Sequence, residues 1–182
     1  MTQKQRFDEV VLPNLDSAVS LARWLTGNLP DAEDVVQEAC LRAFVAIHSA
    51  SGGNSRAWLL AIVRNTAHTW LARNRSRQLI VTDDEQVFEK AGLEMTNRTD
   101  LFAPDAALIA KADAVMLHNA IAALPMSYRE ILVLREFEEL SYREIAGILK
   151  IPLGSVMSRL ARARAALVAR VFASQNGKEG AA

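Results

Sequence analysis

The chain has 182 residues, of which 51% are hydrophobic and only 6% aromatic; this apolar content suffices for one ordinary domain or two small ones and favours helices. No apolar run approaches the roughly 18 residues that cross a bilayer, and no signal-peptide pattern follows Met1. A single cysteine, Cys40, excludes an internal disulfide and a cysteine-based metal site, and we expect a cytoplasmic protein with no membrane insertion.

The net charge of zero conceals two basic segments. Residues 39–82 carry six arginines and no acidic residue, and residues 151–182 carry five basic residues against one acidic residue. Between them, residues 83–113 carry eight acidic and three basic residues. Two basic surfaces on one chain are typical of a protein that contacts a polyanion, so we interpret the pattern as nucleic-acid binding rather than as two solvated faces.

The first third of the chain predicts two substantial helices. Apolar residues recur at helical spacing after Pro13, and Gly27 is well placed to end that helix. Asp31 is expected to cap the next helix, which runs to about His48 and carries acidic residues in its first turn, where the helix dipole favours anions. Cys40 falls on its apolar face and is interpreted as a buried hydrophobe rather than a redox site.

A loop over residues 49–55 precedes a third helix over about 56–75. One side of this helix is apolar, whereas Arg64, His68 and Arg75 fall on the opposite side. An apolar stripe backed by an acid-free basic face is typical of a nucleic-acid-facing helix in a small domain. Its two tryptophans could stack bases, but we assign both to the core.

Residues 76–105 lose periodicity and are interpreted as an acidic linker, with a short helix near 85–90. Four helical segments follow, and Leu108, Ala112, Val115 and Ala122 are expected to face inward on the first of them. The predicted segments are 106–123, 127–138, 141–149 and 153–172. The remainder, from Ser174, is expected to be disordered.

The last two segments form the strongest local signal, a helix-turn-helix. Ser141 and Glu144 make a capping box at the start of an eight-residue helix, and a tight turn leads to a longer basic helix. On this second helix the side chains at i, i+3, i+4 and i+7 are Ser155, Ser158, Arg159 and Arg162, types that reach base edges and phosphates. The alternative is an ordinary amphipathic helix with solvated arginines.

An exposed stripe is predicted on the second helix of the chain, with Asp34, Glu38 and Arg42 spaced by four residues beside Gln37. Close carboxylates could act in general acid–base catalysis or bind a metal, but no histidine stands at ligand spacing and no nucleophile set or phosphate loop occurs. The stripe is otherwise a solvated face or a docking surface for a basic partner protein.

Segments 31–38 and 56–67 closely resemble conserved region 2 of the extracytoplasmic-function (group IV) sigma factors. Segments 124–125, 140–146 and 151–164 resemble region 4 of the same family. The resemblance covers about 7–75 and 106–172 and keeps the family's order and linker length.

The resemblance implies an all-α fold of two small helical domains, region 2 over 1–76 and region 4 over 106–173, joined by a flexible linker over 77–105 and followed by a disordered tail over 174–182. It implies a non-enzymatic specificity subunit that takes no cofactor and directs core RNA polymerase to promoters. Its partners would be the clamp helices and flap of the polymerase, promoter DNA and an anti-sigma factor.

Three residue sets are implied. Docking on the clamp helices would use Asp34, Gln37, Glu38 and Arg42. Capture and melting of the minus-10 element would use Asn54, Ser55, Arg56, Arg64, Asn65, His68, Arg73 and Arg75. Recognition of the minus-35 element would use Tyr142, Arg143, Ser155, Met157, Ser158, Arg159, Arg162 and Arg164. Many relatives carry Arg or Lys where this chain has Met157, which suggests a different promoter preference.

Two other function classes are weighed. A free-standing helix-turn-helix repressor or activator would need a dimerisation or ligand-binding first domain rather than an acidic stripe followed by an acid-free arginine helix. A nucleic-acid-processing enzyme would need a catalytic constellation, and no such constellation stands out in the sequence.

Overall fold

The computed structural model describes residues 2–50, 53–81 and 104–179, and the side chains of 2–50, 53–74 and 113–173. These residues contain helices and no strand, which confirms the predicted all-α class. The helices are α1 (Gln3–Val11), α2 (Leu15–Thr26), α3 (Leu29–Ala46), α4 (Ser55–Val81), α5 (Pro104–Ala122), α6 (Met126–Leu132), α7 (Tyr142–Leu149) and α8 (Leu153–Glu179). Short 3-10 turns cover Leu12–Asn14 and Ile47–Ser49.

Helices α1 to α4 form an N-terminal bundle in which α2, α3 and α4 each pack against the other two. Its core includes apolar positions predicted from helical spacing, among them Ala22, Leu25, Val35, Leu59 and Val63, and also Leu21, which was not predicted; all are fully buried. Burial of large apolar side chains is the main stabilising contribution, about 1.5–3 kcal/mol for each one removed from water.

The junction between α2 and α3 corrects one sequence-based assignment. Gly27 ends α2 with φ +90°, as predicted, because glycine tolerates the left-handed conformation. The N-cap of α3 is Asn28, however, not Asp31: the Asn28 side chain accepts a hydrogen bond from the Asp31 backbone N–H at 2.9 Å. Pro30 is compatible with the first turn because its missing N–H would have no intrahelical partner there.

Helices α5 to α8 form a C-terminal bundle around Ile131, Leu134, Ile145, Val156 and Leu160, all buried. Its helix-turn-helix is built from local signals that the sequence predicts. The Ser141 hydroxyl accepts from the Glu144 backbone N–H at 3.3 Å, and the Glu144 carboxylate accepts from the Ser141 backbone N–H at 2.8 Å. The capping box is thereby confirmed.

The connection from α6 to α7 contains a π turn over Val133–Phe137. The Glu138 backbone N–H donates to the carbonyl of Val133, five residues earlier, at 3.0 Å. Such turns hold one more residue than an α-helical turn and are frequent at functional sites. The predicted single helix over 127–138 is therefore an α-helix that widens at its end.

Several predicted boundaries shift. Helix α4 continues to Val81, past its predicted end near Arg75, and α8 continues to Glu179, so the expected disordered tail is helical for its first six residues. Extending an existing helix is easy because each added residue gains a hydrogen bond, and no proline interrupts either stretch. The expected short helix near 85–90 lies outside the described residues.

The inward face of α5 also differs from expectation. Val115 is 45% exposed, whereas Ile121 and Ala120 are buried, so among the described side chains the inward-facing positions lie near the C-terminal end of α5. Leu108 and Ala112 lie outside the residues whose side chains are described.

Cys40 on α3 is half-buried, and burial raises the pKa of its thiol. Within the described residues, no three His, Cys, Asp or Glu side chains form a group that could hold a metal ion. None of the helices in that part of the chain is both long and apolar enough to span a membrane.

The two bundles pack against each other. Helices α2 and α4 of the N-terminal bundle contact α6 and α7 of the C-terminal bundle. We call this the interbundle contact, and it decides which predicted functional residues face solvent.

Candidate functional site

The acidic stripe of α3, defined by Asp34, Gln37, Glu38 and Arg42, lies on the surface as predicted. Asp34 and Gln37 are exposed, and Arg42 donates to the Glu38 carboxylate one helical turn away. Exposed pairs of this kind contribute only about 0.3–0.5 kcal/mol, so the stripe is not needed to hold the helix. Its carboxylates remain accessible to a basic partner surface.

Beside the stripe lies an exposed apolar patch that helical spacing did not predict. Leu41 is 71% exposed and Val45 is 78% exposed, with Phe44 next to them. Phe44 meets the ring of Phe7 edge-to-face, with centroids 5.4 Å apart. Leu41 and Val45 are one turn apart and fall off the buried stripe of α3, which is the sequence signal that could have identified them. Exposed apolar side chains beside charges are typical of a protein-binding surface.

Helix α4 carries most of the predicted minus-10 residues. Its basic face was expected to lie open to solvent, but part of that face is covered by the C-terminal bundle. The Arg64 guanidinium donates from Nε and Nη2 to the two oxygens of the Glu130 carboxylate on α6, at 3.1 and 3.2 Å. His68 Nε2 lies 2.9 Å from the same carboxylate. Glu130 is only 2% exposed, so this is a buried, two-pronged ion pair between the bundles.

The electrostatics of Glu130 follow from this arrangement. Burial alone would raise the pKa of its carboxyl, but the hydrogen bonds from His68 and Arg64 and the positive charge of Arg64 outweigh burial and leave the pKa below its ordinary value. Glu130 is therefore ionised at neutral pH. A buried carboxylate of this kind is stable only while its cationic partners remain in place.

The start of α4 makes the second ionic contact between the bundles. Arg56 Nη2 lies 2.5 Å from Glu138 Oε2, and Arg56 Nε donates to the Ser17 hydroxyl at 3.1 Å. The Asn54 amide donates to the Glu144 carboxylate at 2.6 Å. Hydrogen bonds from Ser141 and from Asn54 hold the pKa of Glu144 below its ordinary value.

The other predicted minus-10 residues are distributed differently. Asn65 and Arg73 are exposed, and Ser55 is half-buried at the start of α4. Arg73 Nη1 stands 4.0 Å from Glu38 Oε1, which brings this arginine next to the acidic stripe. Arg75 lies outside the residues whose side chains are described.

The helix-turn-helix surface, by contrast, faces solvent. Met157, Ser158 and Arg162 are exposed along one side of α8, and Val156 and Leu160 are buried on the other. The Arg162 Nε donates to the Ser158 carbonyl at 3.3 Å, which holds this arginine along the helix surface. Ser155 and Arg159 are half-buried at the edges of the same face.

Three further predicted minus-35 residues lie around this face. Arg143 is exposed on α7. The guanidinium of Arg135 lies over the Tyr142 ring, with its Cζ 5.0 Å from the ring centroid. Arg164 donates to Glu136 at 2.6 and 3.0 Å, within the same bundle.

A cluster of three rings and one arginine, none of them among the predicted site residues, completes the interbundle contact. The Trp24 ring on α2 lies 4.6 Å from the His118 ring and 5.3 Å from the Phe137 ring, centroid to centroid. Arg129 donates to the Trp24 carbonyl at 3.2 Å. These partners are about 90 or more residues apart in the chain, and no local pattern indicates them. Burial, then the positive charges of Arg23 and Arg129, lower the pKa of His118.

Comparison with known families assigns both bundles. Residues 10–77 match the family described as "Sigma-70 region 2", and residues 114–167 match "Sigma-70, region 4". The two matched segments fall in the N-terminal and the C-terminal bundle.

Among curated proteins, the chain is 32% identical over 168 residues to the RNA polymerase sigma-H factor of Pseudomonas aeruginosa, covering 90% of this chain and 85% of that protein. It is 33% identical over 164 residues to the ECF RNA polymerase sigma factor SigW of Bacillus subtilis, covering 88% and 86% of the two proteins.

Among solved structures, it is similar to the sigma factor RpoE in complex with the anti-sigma factor NepR from Bartonella quintana, with a TM-score of 0.69 and 26% identity over 91% of this chain and 96% of that chain. CnrH, solved in complex with the cytosolic domain of CnrY, shares the fold with a TM-score of 0.60 and 23% identity over 92% and 88% of the two chains.

Proposed function

This chain belongs to the extracytoplasmic-function group of the sigma-70 family, and on that premise we propose that it binds core RNA polymerase and directs initiation at a specific set of promoters. It is an alternative sigma factor. One observation carries the proposal: the acidic stripe of α3, in the N-terminal bundle, and the recognition face of α8, in the C-terminal bundle, are both accessible to solvent. One molecule can therefore bind a protein and a promoter at the same time.

The α3 surface is the polymerase-docking site in this proposal. Exposed Asp34 and Gln37 and half-buried Glu38 offer acceptors to a basic helix pair, and Leu41 and Val45 add apolar area beside them. Interfaces commonly combine an apolar centre with a charged rim that selects the partner. Residues 1–76 would form this docking and minus-10 unit.

Recognition of DNA falls to two surfaces. The α8 face with Ser155, Ser158 and Arg162 would enter the major groove at the minus-35 element, braced by α7 as in other helix-turn-helix proteins. The basic side of α4, with Arg56 and Arg64, would contact the minus-10 element. No catalytic step of the chain's own is required, because promoter opening draws on binding energy.

An anti-sigma factor is the proposed regulator. The similarity to RpoE, a sigma factor whose structure was solved with its anti-sigma factor NepR, supports this regulation. The regulator would act in the cytoplasm, where core polymerase resides.

The docking assignment is tested by the double variant Asp34→Lys with Glu38→Lys. We expect loss of binding to core polymerase with unchanged helicity, because both side chains are solvent-accessible and Glu38 has only exposed ionic partners. A matched control is Glu9→Lys with Asp16→Lys, which makes the same charge change on exposed residues of α1 and α2. Co-elution of the stripe variant with core enzyme at wild-type affinity would contradict the assignment.

Promoter recognition is tested by run-off transcription with purified core polymerase over a promoter library. A sigma factor should direct initiation at a defined subset only in the presence of core enzyme. The alternative, a free-standing repressor, predicts a tight and sequence-specific complex of the isolated chain with duplex DNA instead.

A further inference from the structure

The first turns of α8 expose large apolar side chains. Leu153 is 42% exposed and Met157 is 53% exposed. With Ala161, which is also exposed, they recur every four residues and lie in one line along the helix, which we call the apolar row. The core of the bundle does not use this row, because the inward-facing residues here are Val156 and Leu160. The apolar row is therefore a surface in contact with solvent.

A polar row runs beside the apolar row on the same helix. Each of its members, Gly154, Ser158 and Arg162, follows a member of the apolar row by one position and is exposed. At about 100° per residue, the polar row points away from the core, and the apolar row lies between the polar row and the core. The surface of α8 that is assigned to the minus-35 element thus has one apolar edge.

The charges around the apolar row are positive. Residues 145–173 contain no acidic residue, and Arg143 on α7 and Lys150 in the turn before α8 are exposed. The Glu136 carboxylate is the acceptor for Arg164, so its charge is compensated. A surface in such a positive field favours a polyanion such as DNA as its occupant.

The chemistry of the apolar row limits what it can recognise on DNA. Leucine has no hydrogen-bonding group and methionine has only a weakly accepting sulfur, so neither can bind the polar edges of bases or the phosphates strongly. The apolar group that base pairs present in the major groove is the C5-methyl of thymine. Four residues of helix span about 6 Å, and base pairs are stacked about 3.4 Å apart. Leu153 and Met157 can therefore reach thymines one or two base pairs apart.

We propose that Leu153 and Met157 determine promoter specificity by contacting thymine methyl groups in the minus-35 element. The inference rests on the proposed function and deepens it, since it names a base that the element should contain and adds Leu153 to the residues that read it. The element should then be asymmetric. Thymines would lie against the apolar row, beside the bases that Ser158 and Arg162 contact.

The test uses the full chain bound to core polymerase and a promoter selected from the library. Each thymine of the upstream element is replaced in turn by deoxyuridine, which removes the methyl group and keeps the base pairing. Anisotropy of the fluorescein-labelled promoter duplex measures the affinity. The variants are Leu153→Ala and Met157→Ala, and the matched control is Val168→Ala, which truncates an exposed apolar residue further along the same helix.

We expect the wild type to bind about fourfold more weakly when one of the contacted thymines loses its methyl group, the effect of one methyl removed from water. Met157→Ala should bind thymine and deoxyuridine equally at one position, and Leu153→Ala should do so at a neighbouring position. Val168→Ala should keep the wild-type pattern. Met157→Lys should change the preferred base at its position from thymine to guanine, because lysine donates to guanine O6 and N7. This change of preference is a result that unfolding cannot produce.

Three results would overturn the inference. The wild type could bind thymine and deoxyuridine equally throughout the element, the two alanine variants could retain the discrimination, or Met157→Ala could weaken binding to core polymerase itself, which would make the apolar row a protein-binding surface. A chain that initiates at defined promoters without this discrimination refutes the inference alone. A chain that directs no initiation at any promoter refutes the proposed function, and the inference with it.

Discussion

Helices α4 and α8 obey the same sequence rule, an apolar stripe backed by arginines, yet they end in opposite situations. Arg64 on α4 donates to a buried carboxylate of the other bundle, whereas Arg162 on α8 donates to a carbonyl of its own helix and faces solvent. A basic helical face thus indicates affinity for anions without specifying which anion is bound. In α4 that anion is the protein itself.

The largest expected effect is a loss of stability when a buried residue that supports the exposed surface of α8 is truncated. Leu160 is buried beneath the recognition face of α8. Leu160→Ala should lower the free energy of unfolding by about 2–5 kcal/mol, because it removes buried methylenes and leaves a cavity. Met157→Ala, on the exposed side of the same helix, should change it by no more than about 0.5 kcal/mol. Urea unfolding measures both, and equal effects would mean that α8 is oriented differently.

The second prediction compares Arg64, whose ion pair lies between the bundles, with Arg164, whose ion pair is exposed. Arg64→Ala should cost about 3 kcal/mol, since it leaves Glu130 buried with His68 as its remaining partner. Arg164→Ala removes the Arg164–Glu136 pair, in which both side chains are exposed, and should cost less than about 1 kcal/mol. A double-mutant cycle for each pair gives the coupling energies. Similar values for the two pairs would show that the bundles do not close on each other in solution.

The third prediction concerns what each surface reads. Arg162→Ala should flatten base preference at one or two upstream promoter positions, with a discrimination loss of about 1–3 kcal/mol. Arg75→Ala should instead reduce transcription from all promoters and lower the salt dependence. Promoter-library transcription at two salt concentrations separates the two patterns. Uniform loss for Arg162→Ala would make that arginine a phosphate contact.

The smallest expected effect is a pH dependence of the free energy of unfolding, which arises from His118 at the interbundle contact. Since the pKa of His118 is lowered from 6.5 in the folded chain, by burial and by Arg23 and Arg129, unfolding takes up a proton below that pH. Stability should therefore decline as pH falls from about 6.5 towards the lowered pKa. The Glu130 pKa is lowered from 4.5, so the contribution of this carboxylate to stability is fully present above that pH.

The control for this pH dependence is His118→Phe, which keeps a ring against Trp24 and removes the titrating group. Thermal unfolding followed across the window should show a flatter profile for the variant than for the wild type. An unchanged slope would show that His118 is not the group responsible for the pH dependence.

Local features were predictable from the sequence because their signals are local. The Ser141 capping box, the left-handed Gly27 and the exposed acidic stripe depend on residues within a few positions of one another. The cap at Asn28 was missed because Asp31 is an equally good capping type, and only the position of Pro30 in the first turn decides between them.

The interbundle contact was not predictable for the opposite reason. Arg64 and Glu130 are 66 residues apart, and nothing in either segment marks them as partners. The family resemblance directed attention to Arg64 as a DNA contact and gave no place to Glu130. Fold class and family were therefore accessible from local pattern, whereas the occupancy of the α4 surface depended on tertiary packing.

The π turn over Val133–Phe137 sets the directions in which Glu130 and Glu138 point relative to each other. Residues eight apart on a regular α-helix point about 80° away from each other. Glu130 and Glu138 are eight apart, and both reach α4. The wide turn between them underwinds the chain and aligns the two carboxylates along one side. Deletion of a single residue from this turn would leave Glu130 in place and turn Glu138 away from Arg56. One ion pair would then remain between α6 and α4, and the bundles could rotate about it.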